Sequence, residues 1–98
     1  MARMDMSTDV VALGTQTATP DALFELGLLY STGREVEPDL VVAHKWLNLA
    51  AMRGNGSALT LRRELALEMS ASQIAAAQKL AREWIATQWH AVERHATH

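Results

Sequence analysis

Several groups of residues in this 98-residue chain have types and spacings that invite a chemical reading. Gly54-Asn55-Gly56-Ser57 has the composition of a phosphate-cradling loop or of a sharp turn presenting a serine nucleophile. Both chemistries require a strand leading into the turn, with either a G-x-S-x-G pattern or a lysine placed to reach phosphate. Neither pattern occurs here, so the tetrapeptide is expected to be a turn between helices. His90, His95 and His98 are metal-ligand types, but separations of five and eight residues do not bring three imidazoles to one helical face, and the chain has no cysteine. No metal or cofactor is expected. His44 and Lys45 resemble an acid-base pair, yet consecutive residues of a helix point in different directions, and no carboxylate is spaced to orient the imidazole. His44 is expected to face solvent or line a groove.

The remaining candidates suit contact with another protein better than catalysis. Arg62-Arg63, with Glu64 and Glu68, makes either a charged docking patch or the exposed side of a helix. Trp46, Trp84 and Trp89 are core or interface residues, and aromatic side chains are the commonest anchors of protein interfaces. Trp84, Trp89, Ile85, Arg62, Arg63 and His44 form the candidate partner-binding set. Nothing pairs a nucleophile with a base, so no enzymatic activity is expected.

The elements that must position these residues are all helical. Thr19 is suited to an N-cap and Pro20 to a first helical position, and Leu23, Leu26, Gly27 and Tyr30 share one face, which predicts a helix over 20–31. Gly33 can close it in the left-handed conformation. Leu40, Ala43, Leu47 and Ala50 form one stripe, and Val42, Trp46 and Leu49 a second, so a helix over 39–53 is apolar across a wide arc. Ala58, Leu61, Leu65 and Met69 continue the helical spacing after the turn. Ser70-x-x-Gln73 reads as a capping box opening a last helix that carries Ile74, Ala77, Ala81, Trp84 and Ile85 and ends near Trp89. No alternating run is long enough for a strand.

The four helices repeat one plan. Pairing Ala22-Leu23 with Ala58-Leu59 gives an offset of 36 for the first helices, and pairing Ala43 with Ala77 gives 34 for the second. The series Ala22, Gly27, Tyr30, Gly33, Val36, Asp39, Ala43, Trp46, Ala50, Ala51 and Gly54 resembles the Sel1-like repeat, a relative of the tetratricopeptide repeat. The resemblance is specific from Ala22 to Ser57 and degenerate from Ala58 to about Ala86. It departs at Glu35, where the family usually has glycine and where a glutamate resists positive φ. Physically, Gly27, Ala43, Ala50 and Ala51 are small where two helices would cross, while Tyr30 and Trp46 are large enough to fill the wider ends.

The expected fold is therefore all-α, a short α-solenoid of two antiparallel helix hairpins, with units over about 20–55 and 56–89 inside a domain at 19–90. Residues 1–18 are expected to be flexible or to hold one short helix around Val10–Leu13, and 91–98 to be a flexible tail. The resemblance implies a non-catalytic protein-protein interaction module, an adaptor or scaffold; a self-associating structural homo-oligomer is the alternative. Composition agrees, with 49% apolar and 20% charged residues and a net charge of −2, which provides no basic field for nucleic acid. The first eighteen residues hold Asp5 and Asp9 and no signal-peptide core, and no apolar run is long enough to span a membrane. A protein partner or a second copy is expected, without nucleic acid or membrane, in the cytoplasm.

Overall fold

The computed structural model describes the backbone of residues 19–96 and the side chains of residues 19–88. Four helices follow in order: α1 (Pro20–Thr32), α2 (Leu40–Met52), α3 (Gly56–Ala66) and α4 (Ala71–Ala96), with no strand among the described residues. The chain is all-α, a short solenoid in which α1 and α2 form a hairpin and α3 and α4 are stacked on α2.

Each helix start is set by a side chain that accepts an otherwise orphaned backbone N–H. The Thr19 hydroxyl accepts from the Ala22 N–H at 3.1 Å, with Pro20 in the first turn of α1. Asp39 Oδ1 accepts from Val41 and Val42 at 3.0 and 3.1 Å, so Asp39 caps α2 from just outside it. Asn55 Oδ1 accepts from Ala58 at 2.8 Å and opens α3, which gives the Gly54–Ser57 turn its structural role. The capping box at α4 is reciprocal: the Gln73 N–H donates to Ser70 Oγ at 3.1 Å, and the Ser70 N–H donates to Gln73 Oε1 at 2.8 Å.

The loop between α1 and α2 is tight. Gly33 closes α1 at φ 74°, donating its N–H to the Leu29 carbonyl, and the Asp39 N–H donates to the Tyr30 carbonyl, both at 3.0 Å. A Cβ on Gly33 would stand 2.9 Å from Pro38 Cγ. Glu35 sits at φ 66°, the left-handed conformation that glycine occupies freely and glutamate does not. The chain thus keeps the glycine backbone without the glycine.

Helix α2 is the centre of the molecule. Its most extensive contact is with α1, and α3 and α4 both pack on it as well. Ala43, Trp46, Leu47, Leu49 and Ala50 are buried, as the two apolar stripes require, and His44 is buried with them. Close approach of α1 depends on Gly27, where a Cβ would meet Leu47 Cδ2 at 2.5 Å and the Ala43 carbonyl oxygen at 3.4 Å. The core is completed by Leu23 and Leu26 from α1, Ala58, Leu65 and Met69 from α3 and its turn, and Ala77, Ala81 and Trp84 from α4.

Two features differ from the sequence reading. The residues turned to the core in α1, Leu23, Leu26 and Tyr30, recur in α3 as Ala58, Leu61 and Leu65, an offset of 35 (58 − 23) rather than 36. Burial pairs Gly27 with Arg62 in consequence, where the sequence pairing gave Arg63. The second difference is length. Helix α4 continues to Ala96, past the end expected near Trp89, because its 26 residues contain neither glycine nor proline to stop it. The short helix expected around Val10–Leu13 lies outside the described residues.

Candidate functional site

The six candidate contact residues separate when placed in the fold. Trp84 is 8% exposed, which corrects its reading as an interface anchor. It belongs to the buried core between α2 and α4. Its ring meets Trp46 edge-to-face, with centroids 5.8 Å apart and planes at 79°. The Arg53 guanidinium lies 5.4 Å from the Trp84 centroid and the Lys45 ammonium 4.1 Å from that of Trp46, so a cation sits over each indole. Burial lowers the Lys45 pKa from the ordinary ammonium value, and the Glu83 carboxylate opposes that shift. Among the described residues, the buried Trp84 Nε1–H has no acceptor.

His44 is also corrected. It was expected at the surface or in a groove, and it is 4% exposed, with a buried Nδ1 that has no partner among the described residues. A helix with neighbours on three sides has little outer face left, and position 44 falls inside the covered arc. Burial lowers the His44 pKa, and the positive charge of Arg62 lowers it further, so the imidazole is held neutral near pH 7.

Arg62 is half-buried and its Nη1 donates to Asn48 Oδ1 at 2.6 Å. Asn48 lies one turn after His44 on α2, so His44, Asn48 and Arg62 line the seam between α2 and α3. The sequence gave no sign of Asn48: a lone asparagine inside a helix carries no pattern until its partner is known. Arg63, the next residue, is exposed. A second polar tie, within the first unit, joins Asn55 Nδ2 to Asp21 Oδ1 at 3.2 Å, from the α2–α3 turn to the first turn of α1.

Ile85 is 37% exposed and follows the buried Trp84 on α4. Trp89 lies on the same helix four residues further, with its side chain outside the described set, as are those of His90 and His95; His98 is outside altogether. The other large exposed apolar residues are Met52 at 62%, at the end of α2, and Leu67 at 87%, in the α3–α4 turn. Among the described residues, no helix is long and apolar enough to cross a membrane.

The positions that carry the repeat resemblance are distributed as follows. Ala43, Trp46 and Ala50 are buried, Ala22, Tyr30 and Ala51 are half-buried, Gly27 is at the crossing, Asp39 caps α2, and Gly33 and Gly54 carry positive φ of 74° and 105°. A family model, the Sel1 repeat, matches residues 20–55, the span of α1, α2 and the turn that follows. No curated protein and no solved structure matches the chain. The Gly27 crossing, the Asp39 cap and the family match all fall on one unit, and residues 20–55 are accordingly a Sel1 repeat.

Proposed function

We propose that this chain is a non-catalytic adaptor that binds another protein in the cytoplasm, with α4 around Ile85 and Trp89 as the contact. The observation that carries the reading is the Sel1 match over 20–55, since Sel1 repeats generally mediate protein-protein interaction. It is supported by the length of α4. Helix α4 has 26 residues against the 13 of α2. A stacked repeat covers its second face only against a neighbour, and Ile85 of α4 is 37% exposed. Trp84 is removed from the contact by its burial, and Arg62 is already engaged to Asn48.

Capture from the source cell with the wild type and with Trp89→Ala tests this. A partner recovered by the wild type should be lost or weakened roughly 30-fold by the substitution, about 2 kcal/mol, with helix content unchanged. A partner held equally by both would place the contact elsewhere. The same α4 extension also favours a second reading, a homo-oligomer joined through this helix. Light scattering over a concentration series separates the two: an adaptor stays at one chain mass and a structural oligomer holds a fixed multiple.

A further inference from the structure

The turn that opens α3 places a side-chain amide next to a backbone nitrogen able to attack it. Asn55 is followed by Gly56, the first residue of α3, whose N–H has no preceding carbonyl in the helix to bond. Asn55 is half-buried and Gly56 is exposed. A backbone nitrogen in this position can close a five-membered ring onto the Cγ of the asparagine before it, and a side chain on the attacking residue hinders the approach. Glycine leaves the approach open. The fold itself does not require glycine here: a Cβ on Gly56 would meet nothing within 4 Å, and its φ lies outside the left-handed region that Gly33 and Gly54 occupy.

The folded turn holds this reaction back in two ways. Both ends of the amide are engaged, Oδ1 accepting from the Ala58 N–H at 2.8 Å and Nδ2 donating to Asp21 Oδ1 at 3.2 Å. The Asn55 backbone is extended, at φ −82° and ψ 106°, which turns the Gly56 nitrogen away from the side of the chain that carries Cβ and Cγ. Ring closure therefore waits until the turn opens and α1 parts from it. Asn48, the other asparagine of the chain, is followed by the bulkier Leu49 and lies inside α2 with its Oδ1 held by Arg62.

We propose that Asn55 is a modification site, converted to aspartate or isoaspartate when the turn opens, and that the product keeps α1 from closing again by repelling Asp21. The Gly56 nitrogen, its proton lost to water or hydroxide, bonds to Asn55 Cγ. The Cγ–Nδ2 bond breaks, and Nδ2 leaves as ammonia with a proton taken from water. A second water then opens the cyclic imide at either carbonyl. An aspartate caps α3 as well as the asparagine did, but it puts a carboxylate where Nδ2 had met the carboxylate of Asp21, and like charges at hydrogen-bonding distance repel. Isoaspartate also lengthens the backbone by one methylene and moves the cap out of register. The chain is thus marked irreversibly once α1 has left the turn. Nothing in this depends on the adaptor reading, so the two fail separately.

Peptide mapping by mass spectrometry follows the amide-to-acid change in the full-length protein at mildly alkaline pH, with Asn48 as the internal control. Folded wild type should react at Asn55 roughly tenfold or more slowly than the same chain in guanidinium chloride, because the reaction waits on local opening. Asp21→Ala should speed the folded chain roughly threefold or more by easing that opening, and Gly56→Ala should suppress the reaction. Asn55→Asp should lower the thermal midpoint, and adding Asp21→Asn should restore it, since one donor and one acceptor then face each other again. Equal rates in folded and unfolded chains, no acceleration by Asp21→Ala, or a loss in Asn55→Asp that Asp21→Asn does not recover overturns the proposal. Should Asp21→Ala fail to fold by circular dichroism, the recovery of Asn55→Asp by Asp21→Asn decides alone.

Discussion

The two halves of the solenoid bury their helices by different means. In the first, α1 comes down on α2 through Gly27, whose missing side chain is filled by Leu47 and the Ala43 carbonyl, and these two helices share the most extensive contact among the described residues. In the second, the residue equivalent by burial is Arg62, which reaches across to Asn48 of α2. An arginine cannot sit where two backbones nearly touch. Helix α4 therefore takes its close backbone neighbour from α2, the preceding unit, instead of from α3, its own hairpin partner. The contact that replaces the close crossing is aromatic: Trp84 fills the wider gap and locks against Trp46. A repeat can keep its helices and lose the internal contact that defines its hairpin, provided that a neighbour supplies another.

The comparison breaks most severely at Trp84. Trp84→Ala should cost about 3–5 kcal/mol, the usual range for removing a buried tryptophan, and release α4 from α2. Denaturant unfolding read by circular dichroism measures it. Ile85→Ala, one residue along, should cost much less, since that side chain is partly in solvent. Comparable losses for the pair would return Trp84 to the surface.

Gly27→Leu should cost about 3 kcal/mol or more, because its Cβ alone would stand 2.5 Å from Leu47 Cδ2 and overpacking of a close crossing has little room to relax. Arg63→Leu on the exposed face of α3 should change stability by less than about 0.5 kcal/mol. Thermal melts that leave Gly27→Leu within error of the wild type would remove Gly27 from the crossing.

The seam between the halves should respond to acid. The His44 pKa is lowered in the folded state, so below the ordinary histidine value near 6.5 the unfolded chain binds a proton that the folded chain refuses. Stability should be flat with respect to this group above about pH 6.5 and fall as pH drops below it, by at most about 1.4 kcal/mol per pH unit. Subtracting the curve of His44→Gln isolates the effect from the other histidines. A difference curve without slope between pH 5 and 6.5 would show that His44 is not held neutral by the fold.

The smallest expected effect lies in the loop that joins the first pair. Glu35→Gly relieves a left-handed glutamate, worth about 1–2 kcal/mol, and adds about 0.5–1 kcal/mol of glycine entropy in the unfolded chain. A net gain of about 0.5–1 kcal/mol should follow, seen as a higher denaturant midpoint with the same slope. A loss would mean that the Glu35 side chain contributes more than its backbone costs.

The amino-acid sequence by itself determined the four helices and where each begins. Thr19, Asp39, Asn55 and the Ser70–Gln73 pair act within three residues of themselves, and Gly33 turns its own backbone, so none of them needs a distant partner to be read. The small residues of the first unit were legible for a similar reason: Gly27, Ala43 and Ala50 recur at helical spacing, and only a close crossing makes use of missing side chains. The tertiary structure alone decided which side of each helix was covered and by what. His44 and Trp84 carry polar nitrogens that suit a surface, and they are buried because three helices surround α2 and because Trp84 packs edge-to-face on Trp46. The Asn48–Arg62 bond joins residues 14 apart, and Asp21–Asn55 joins residues 34 apart. Spacing along one helix cannot encode such pairs, since they exist only once the relative offset and rotation of two helices have been fixed by packing.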